Sequence, residues 1–364
     1  MRPIFDSHLD LAWNVTSFDR DLSLSLTDMR RAEAEMTDGP MRGRGTVTFP
    51  EMRRAGIAVC IATLLARSGP EHERKRRYQR TDLDSPTRLS CHAAAHGQYA
   101  CYQHWESVGE IRMLRTRGDL AQHWEQWSSA DDPAQSPIGV ILSMEGADPV
   151  LSPETLDAWW EMGLRAIEPA HYGRSHYASG TATEGPLTAA GRELLKQMQR
   201  VGIALDVTHL ADESMAQALD LYEGPVWASH HNCRALVPGD RQLTDEQIRR
   251  LCERGGVIGA VLDAWMLVPG WVISESQPEM ASLTHLADHI DRVCQIAGDA
   301  LHSGIGSDLD GGFGTEQTPR DLDSIADLQK LAGILGDRGY SDEDIENIFY
   351  HNWHRLLMKS LPEA

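Results

Sequence analysis

The chain alternates short apolar runs with amphipathic helical segments, and it does so eight times along 364 residues. The apolar runs cover residues 3–8, 57–63, 138–145, 164–171, 203–209, 226–231, 256–263 and 304–310. Most of them lack a clean alternation of apolar and polar residues, which indicates strands that are buried on both faces. Eight such strands separated by helices predict an α/β fold, a closed (β/α)8 barrel of the TIM type.

The helical segments between the runs carry capping signals, because several begin with Ser or Thr and end with Gly. We expect a single barrel domain over residues 1–364 with two helical additions. The first is an insertion after strand 2 at about 67–130, in which a mobile charged loop over 67–90 leads into a helix pair. The second is a helical C-terminal segment at about 316–364.

Composition excludes several classes of partner. The formal net charge is −20, and a protein that binds nucleic acid or an anionic membrane needs a basic face. No apolar stretch approaches the roughly 18 residues that a membrane span requires, and the N-terminus lacks the apolar core of a secretory signal. The six cysteines have no CxxC spacing, so buried free thiols are expected. We therefore expect a cytoplasmic protein.

Ionisable side chains end seven of the eight apolar runs. They are His8 with Asp10, Glu145, His171, His209, His230 or His231, Asp263 and Asp308. In a barrel of this type the carboxyl ends of all strands meet at one rim, where active sites are built. Each residue alone could be an ion-paired glutamate or a buried histidine bonded to backbone. Together, histidines and carboxylates that converge on one rim predict a metal site.

The residue types also limit how two metal ions could be held. Two divalent ions roughly 3.5–4 Å apart need a bridging anion from the protein. None of the four lysines ends an apolar run, so a carbamylated lysine is not available. Glu145, at the end of the third run, is the only candidate of suitable length and position. His230 and His231 are adjacent and point to opposite sides, so periodicity cannot choose between them.

Six short motifs occur in a fixed order along almost the whole chain. They are HLD at 8–10, SMEG at 143–146, GLRAIEPAH at 163–171, LDVTH at 205–209, SHHNCRAL at 229–236 and GIGSDLDGG at 304–312. In these motifs and in their order the chain resembles the renal (membrane) dipeptidases, zinc enzymes of the amidohydrolase-type barrel class. Each motif alone is weak, and the specificity lies in the set of six.

The resemblance implies two Zn²⁺ ions and a role for each matching residue. His8 and Asp10 would bind one zinc, His209 and His230 the other, and Glu145 together with a water or hydroxide would bridge both. The remaining matches concern substrate binding and proton transfer. His171 would contact the scissile carbonyl, Arg241 would hold the C-terminal carboxylate of a dipeptide, and Asp308 would act beside the bridging water.

Other positions concern the walls of the substrate pocket. Trp13, Tyr172, Trp265 and Met266 are candidates for these walls, although they could equally pack the loops. The sequence departs from the family pattern at PAH (169–171), at VLDAWMLVPGW (261–271) and in the charged insertion. These departures concern recognition of the substrate side chains rather than metal binding.

Taken together, the residues and the resemblance predict a binuclear zinc dipeptidase that acts on dipeptides with a free C-terminal carboxylate. One alternative is a related barrel hydrolase for N-acyl amino acids, cyclic amides or lactones. Another is a degenerate relative that only binds ligands. The expected partners are small-molecule dipeptides, with no nucleic acid and no membrane, and the C-terminal helices could serve a homodimer.

Overall fold

A parallel sheet that is nearly closed into a barrel forms the centre of the molecule. The computed structural model describes residues 1–68, 84–85, 87–273 and 275–363. Its strands are β1 (Ile4–Leu9), β2 (Ile57–Leu65), β3 (Arg67–Ser68), β4 (Asp84–Ser85), β5 (Ile111–Met113), β6 (Ile138–Glu145), β7 (Leu164–Glu168), β8 (Ala204–Asp206), β9 (Val226–Trp227), β10 (Ile258–Ala260) and β11 (Ser303–Ile305). The sheet runs β10-β11-β1-β2-β6-β7-β8-β9, and a parallel bridge between Ala228 and Ile258 brings its two ends together. The predicted eight-stranded α/β barrel is confirmed.

Helices surround this sheet. They are α1 (Leu11–Phe18), α2 (Leu26–Ala32), α3 (Phe49–Ala55), α4 (Arg88–Ser107), α5 (Arg117–Ser129), α6 (Leu156–Glu161), α7 (Ala189–Val201), α8 (Asp212–Leu221), α9 (Asp245–Glu253), α10 (Ala264–Leu267), α11 (Leu283–Ala297), α12 (Lys330–Asp337), α13 (Asp342–Glu346) and α14 (Asn352–Ser360). The hydroxyls of Thr188 and Thr244 cap α7 and α9, and Gly202 and Gly298 end α7 and α11 with a positive φ.

The insertion after β2 differs from its prediction in one respect. The two expected helices are present as α4 and α5, but β5 lies between them and pairs in parallel with β6. Three residues, Ile-Arg-Met, are too short a run to be distinguished from a loop by periodicity. Most of the charged loop predicted at 67–90 lies outside the described residues.

The C-terminal helices pack into the barrel. The buried indole of Trp353 in α14 stacks on Phe5 of β1 and meets Trp227 of β9 edge-on. Gly304 of β11 leaves room for this ring, because a Cβ atom there would lie 2.3 Å from Nε1 of Trp353. The apolar face of this segment therefore stabilises the chain's own core. A role in a homodimer stays a prediction.

The described residues contain neither a membrane-crossing element nor a disulfide. No helix among them combines the length and the apolar character needed to cross a membrane. All six cysteines are free thiols, and four of them are buried. The expectation of buried free thiols is therefore borne out for those four.

A buried histidine in α11 makes stability depend on pH. His289 is 1% exposed, accepts a hydrogen bond from the Cys233 amide at 3.1 Å, and lies 3.3 Å from the Leu267 carbonyl. Burial lowers its pKa from 6.5 to about 4. The unfolded chain therefore takes up a proton at higher pH than the folded chain, so stability falls between pH 6.5 and about 4.

We expect the free energy of unfolding to depend more strongly on pH in the wild type than in His289→Gln, when both metal-free proteins are unfolded in urea. Between pH 7 and pH 4 the wild type should lose about 3 kcal/mol more unfolding free energy than the variant, at about 1.36 kcal/mol per pKa unit. Equal losses in the two proteins would show that His289 does not titrate in this way.

Candidate active site

Five of the predicted site residues share one position relative to the barrel. His171, His209, His230, Asp263 and Asp308 each lie three residues beyond the last residue of β7, β8, β9, β10 and β11, respectively. The sequence prediction placed them at the strand ends themselves. These five strands are shorter than the corresponding apolar runs, so these side chains come from the first turn of each βα loop. The mouth of the barrel still collects them, as expected of this fold.

The backbone is unusual at two of these positions. His209 has φ 66° and Asp308 has φ 56°, both in the left-handed region that non-glycine residues seldom adopt. The Asp308 amide donates to the carbonyl of His8 at 3.2 Å, which ties the loop after β11 to β1. Such conformations persist where the surrounding structure holds them, and they cluster at functional sites.

Glu145, the last residue of β6, lies at the centre of the imidazoles. Its Oε1 atom is 3.2 Å from Nε2 of His209, 3.4 Å from Nε2 of His171 and 3.6 Å from Nε2 of His230. Its Oε2 atom is 3.6 Å from Nε2 of His8. The two oxygens therefore face different imidazoles, which is the arrangement that a bridging carboxylate needs.

The other carboxylates gather on the His8 side. Nε2 of His8 lies 3.7 Å from Asp10 Oδ2 and 3.8 Å from Asp308 Oδ1. The pairing of His8 with Asp10 follows from the i, i+2 spacing of HLD. The hydroxyl of Thr63 on β2 donates to the second oxygen of Asp10. Asp308 is the more accessible of these acids, with 15% of its side chain exposed.

The donor atoms suit a cation. Nitrogen and oxygen ligands lie within 4.8 Å of one another in three sets: His8, Glu145 and His230; Glu145, His171 and His209; His8, Asp10 and Asp308. Nε2 of His8 and Oε2 of Glu145 are buried, and neither has a hydrogen-bond partner among the described residues. Unsatisfied buried atoms of this kind are costly unless something binds them. A divalent metal ion would satisfy both.

Electrostatics support the same interpretation. Burial, reinforced by the charge of Asp10, raises the pKa of Glu145 to about 7. Burial also raises the pKa of Asp308 well above its ordinary range, and it lowers the pKa of His209 and of His230 well below theirs. The cluster thus disfavours ionised carboxyls while keeping these imidazoles neutral. A bound cation needs neutral imidazoles and offsets the burial of ionised carboxylates.

His8 is the exception among the imidazoles. Burial alone would lower its pKa, but the carboxylates of Glu145 and Asp10 raise it well above the ordinary value. In the metal-free protein His8 therefore carries the proton that neutralises part of the acidic cluster. A metal ion would replace this proton, so metal binding and proton release are linked.

A second layer of buried acids was missed by the sequence interpretation. Glu168 ends β7 and lies 3.8 Å from Nδ1 of His8, and burial raises its pKa well above the usual range. Asp206 ends β8 and accepts from the Ser229 amide at 3.1 Å and from Trp227 Nε1 at 3.2 Å. The signal was present in the motifs, because an acid precedes the histidine by three residues in both EPAH and DVTH.

The cluster of imidazoles and carboxylates around Glu145 opens into a cavity of about 300 Å³. The four residues suggested as pocket walls all line it: Trp13, Tyr172, Trp265 and Met266. Asp263 lines it as well, and its carboxylate accepts from Trp265 Nε1 at 2.7 Å and from Gln317 Nε2 at 2.9 Å. Arg67, which the sequence interpretation did not single out, is a further wall residue.

Arg241 contributes a buried positive charge to the same cavity. The residue is 2% exposed, and its Nη1 atom has no hydrogen-bond partner among the described residues. In isolation a loop arginine before a helix would be expected at the surface in water. A guanidinium that is buried with an unused donor, in the wall of a cavity, is suited to binding an anionic ligand.

The structure also separates the two adjacent histidines. Both are buried, but Nε2 of His230 lies 3.2 Å from Nε2 of His209, within the cluster. His231 does not belong to any of the three ligand sets, and its backbone amide donates to the Gly259 carbonyl at 2.7 Å. His230 is therefore the member of the pair that the fold directs at Glu145.

Comparison with known families gives one match over nearly the whole chain. The sequence model described as membrane dipeptidase (peptidase family M19) matches residues 1–361. A relative from Klebsiella pneumoniae, an uncharacterised protein in the pqqA 5′ region, is 31% identical over 261 residues, which is 69% of this chain and 89% of the relative. The dipeptidase tcpJ of Claviceps purpurea is 29% identical over 213 residues, 57% of this chain but only 47% of that longer protein.

A solved structure shares the fold. The metallopeptidase from Rhodobacter sphaeroides, liganded with a phosphinate mimic of the dipeptide L-Ala-D-Ala, superposes with a TM-score of 0.75 at 22% identity. The superposition covers 99% of this chain and 99% of that one. The similarity therefore extends over the full barrel together with its helical additions.

Proposed function

The chain belongs to the membrane dipeptidase family, peptidase family M19, and from this premise we propose that it is a binuclear zinc dipeptidase for dipeptides with a free C-terminal carboxylate. The observation that carries the proposal is the pairing, in one cavity, of a carboxylate shared between imidazoles with a buried guanidinium. The first suits a metal pair, and the second suits an anion a short distance away.

In this proposal His8 and Asp10 would hold one zinc ion, His209 and His230 would hold the other, and Glu145 would be shared. The division is supported by the two oxygens of Glu145, which face His8 and His209 separately. Imidazole and carboxylate ligands without thiolates suit Zn²⁺ in a catalytic role. Bound zinc supplies Lewis acidity and lowers the pKa of water towards neutrality.

The chain's own groups then orient the substrate and move the proton. Arg241 binds the C-terminal carboxylate with two parallel hydrogen bonds. His171 donates to the oxygen of the scissile carbonyl as negative charge develops there. Asp308 takes a proton from the attacking water and passes it to the departing amine. Because Arg241 fixes the carboxylate within a cavity of about 300 Å³, long peptides are excluded.

Substitution of Arg241 tests the substrate class. Arg241→Met should raise KM for dipeptides by about 30-fold or more, because removing a charge-assisted pair costs about 2–5 kcal/mol. Zinc content should not change. Hydrolysis of a dipeptide amide, which lacks the carboxylate, should be slow in the wild type and equally slow in the variant. Arg249→Met, at an exposed position on α9, is the matched control.

The substrate panel should contain L,L- and L,D-dipeptides, N-acyl amino acids, cyclic amides and lactones. Faster turnover of a lactone or a cyclic amide than of any dipeptide would favour the related barrel hydrolases instead. An unchanged KM in Arg241→Met, or a loss of zinc from it, would contradict the role given to this arginine.

We also propose a cytoplasmic compartment and a homodimer. Six free cysteines support the cytoplasmic compartment, since oxidising compartments favour disulfides.

Light scattering after size exclusion tests the homodimer, and a mass near the 40.4 kDa of one chain would exclude it.

A further inference from the structure

Four imidazoles direct Nε2 at Glu145, and distance alone does not sort them by role. The distances range from 3.2 Å for His209 to 3.6 Å for His8 and His230, and His171 at 3.4 Å lies within this range. Glu145, His171 and His209 even form one of the sets that could hold a metal ion. His171 could therefore be either a fourth imidazole ligand or a hydrogen-bond donor.

The partner of the other ring nitrogen settles this question for a neutral imidazole. Such a ring has one N–H and one lone pair, so a nitrogen that donates leaves the opposite nitrogen free to bind a metal ion. Conversely, when Nδ1 accepts a hydrogen bond, Nε2 carries the hydrogen and cannot be a ligand. The hydrogen-bond partner of Nδ1 therefore distinguishes the roles of these four histidines.

Two of the assigned ligands have acceptors at Nδ1. Nδ1 of His209 lies 3.0 Å from Thr181 Oγ1, and that hydroxyl donates its own hydrogen to the His209 carbonyl at 3.3 Å. Nδ1 of His230 lies 2.9 Å from Ser229 Oγ, and that hydroxyl is within reach of a Glu168 oxygen at 3.5 Å as acceptor for its hydrogen. Both rings therefore present the Nε2 lone pair to the cluster.

His8 agrees with these two. Its Nδ1 atom lies 3.5 Å from Ser229 Oγ and 3.8 Å from Glu168 Oε1. In a neutral His8 ring whose hydrogen is on Nδ1, that N–H faces this carboxylate and Nε2 keeps its lone pair. Carboxylate or hydroxyl partners of this kind are typical of metal-binding histidines.

His171 is the opposite case. Its Nδ1 atom lies 3.3 Å from Nη1 of Arg67, and a guanidinium can only donate. A ring nitrogen that accepts a hydrogen bond carries no hydrogen, so this contact describes a neutral imidazole. With Nδ1 accepting, the hydrogen of the ring is on Nε2, the atom that faces Glu145 and the cavity.

We propose that Arg67 is a positioning residue that fixes His171 as its Nε2–H tautomer, which excludes His171 from the metal ligands and makes it a donor to the scissile carbonyl oxygen. The second part of this statement rests on the proposed function, whereas the tautomer itself does not.

Neighbouring contacts hold Arg67 in this position. The guanidinium carbon lies 5.8 Å from the ring centroid of Tyr172, and that ring meets His171 edge-on at 4.9 Å. Arg67 begins β3, two residues after the end of β2, and pairs in register with Asp84 of β4. The cation, the phenol ring and the imidazole thus form one packed unit.

The first experiment observes the tautomer directly in the metal-free protein. With ¹⁵N-labelled histidine, the ring resonances of His171, assigned by their loss in His171→Asn, should show a protonated Nε2 and an unprotonated Nδ1. In Arg67→Met this preference should be lost, and in Arg67→Lys, which keeps a charged donor, it should be retained. A protonated Nδ1 in the wild type would overturn the proposal whether or not the protein cleaves dipeptides.

The second experiment uses the zinc-loaded enzyme. Arg67→Met should lower kcat by about 100-fold, the effect of losing one oxyanion donor, with KM changed less than about threefold and zinc content unchanged. Arg67→Lys should recover most of kcat, and Arg174→Met, at an exposed position in the loop after β7, should match the wild type. Affinity for a phosphinate mimic of a dipeptide should fall in parallel with kcat.

The outcomes of the second experiment separate the two proposals. A changed KM with an unchanged kcat, or a fourth imidazole ligand seen by metal spectroscopy in the wild type, would overturn the role of Arg67. A wild type with the expected tautomer but no activity on any dipeptide would instead count against the proposed function.

Discussion

Glu145→Gln is expected to remove at least one of the two proposed metal ions and to lower kcat/KM for dipeptides by about 1,000-fold or more. Glutamine keeps the size of the side chain but replaces one carboxylate oxygen with an NH₂ group, which cannot bind a cation. In the protein one oxygen faces His8 at 3.6 Å and the other faces His209 at 3.2 Å. Whichever way the amide turns, one side of the site loses its shared ligand. A loss of several kcal/mol of metal-based stabilisation corresponds to about this factor.

Metal content by mass spectrometry and steady-state kinetics on the same samples test this expectation. Glu161→Gln, at the exposed end of α6, is the matched control and should keep both metal ions and full activity. If Glu145→Gln retained two metal ions and normal turnover, Glu145 would not be the bridge.

Asp308→Asn is expected to lower kcat by about 100- to 10,000-fold, the usual contribution of a positioned general acid–base group. Asparagine has the same shape but cannot take up and release a proton. The left-handed backbone at φ 56° tolerates asparagine well, so the loop should keep its conformation. The raised pKa of Asp308, caused first by burial, suits a group that must hold a proton during the reaction.

Metal analysis of the same variant decides between two roles. Asp308 Oδ1 lies 3.8 Å from Nε2 of His8, and the group could also be a metal ligand. Unchanged metal content with lost turnover supports proton transfer, whereas metal loss would make Asp308 a ligand. Asp19→Asn controls for the backbone effect, because Asp19 shares the positive φ but is exposed at the surface.

Much of the fold was predictable because the barrel depends on a pattern that local sequence carries. Every apolar run overlaps one strand of the barrel, and the N-cap threonines and C-terminal glycines mark the helices. The strand ends were less predictable, since only hydrogen-bond pairing decides where a strand stops. The run over 203–209 contains a strand of three residues, Ala204–Asp206, and His209 belongs to the loop beyond it. β5 escaped prediction because three residues carry no measurable period.

The residues of the candidate site were predictable where residue type and motif identify them. They were not predictable where their role depends on how the folded chain orients the side chain. Histidines at the barrel mouth are conspicuous in a sequence, and all of those expected there lie in the cluster. Glu168 and Asp206 were overlooked although they lie in the same motifs. An acidic residue at the end of a strand is equally consistent with a simple ion pair. Arg67 follows a run without an ionisable end, and only the folded chain shows that its guanidinium meets His171.

The position of Trp353 has a consequence for biosynthesis. During translation the first strand emerges long before its neighbour β11 and before α14, which covers both. Until these late segments leave the ribosome, the ring is open, and His8 and Asp10 stand apart from Asp308. An open barrel does not hold the strand that carries His8 and Asp10 in a fixed position relative to the other candidate ligands, so we expect a truncated product lacking α14 to bind metal ions less tightly than the full chain.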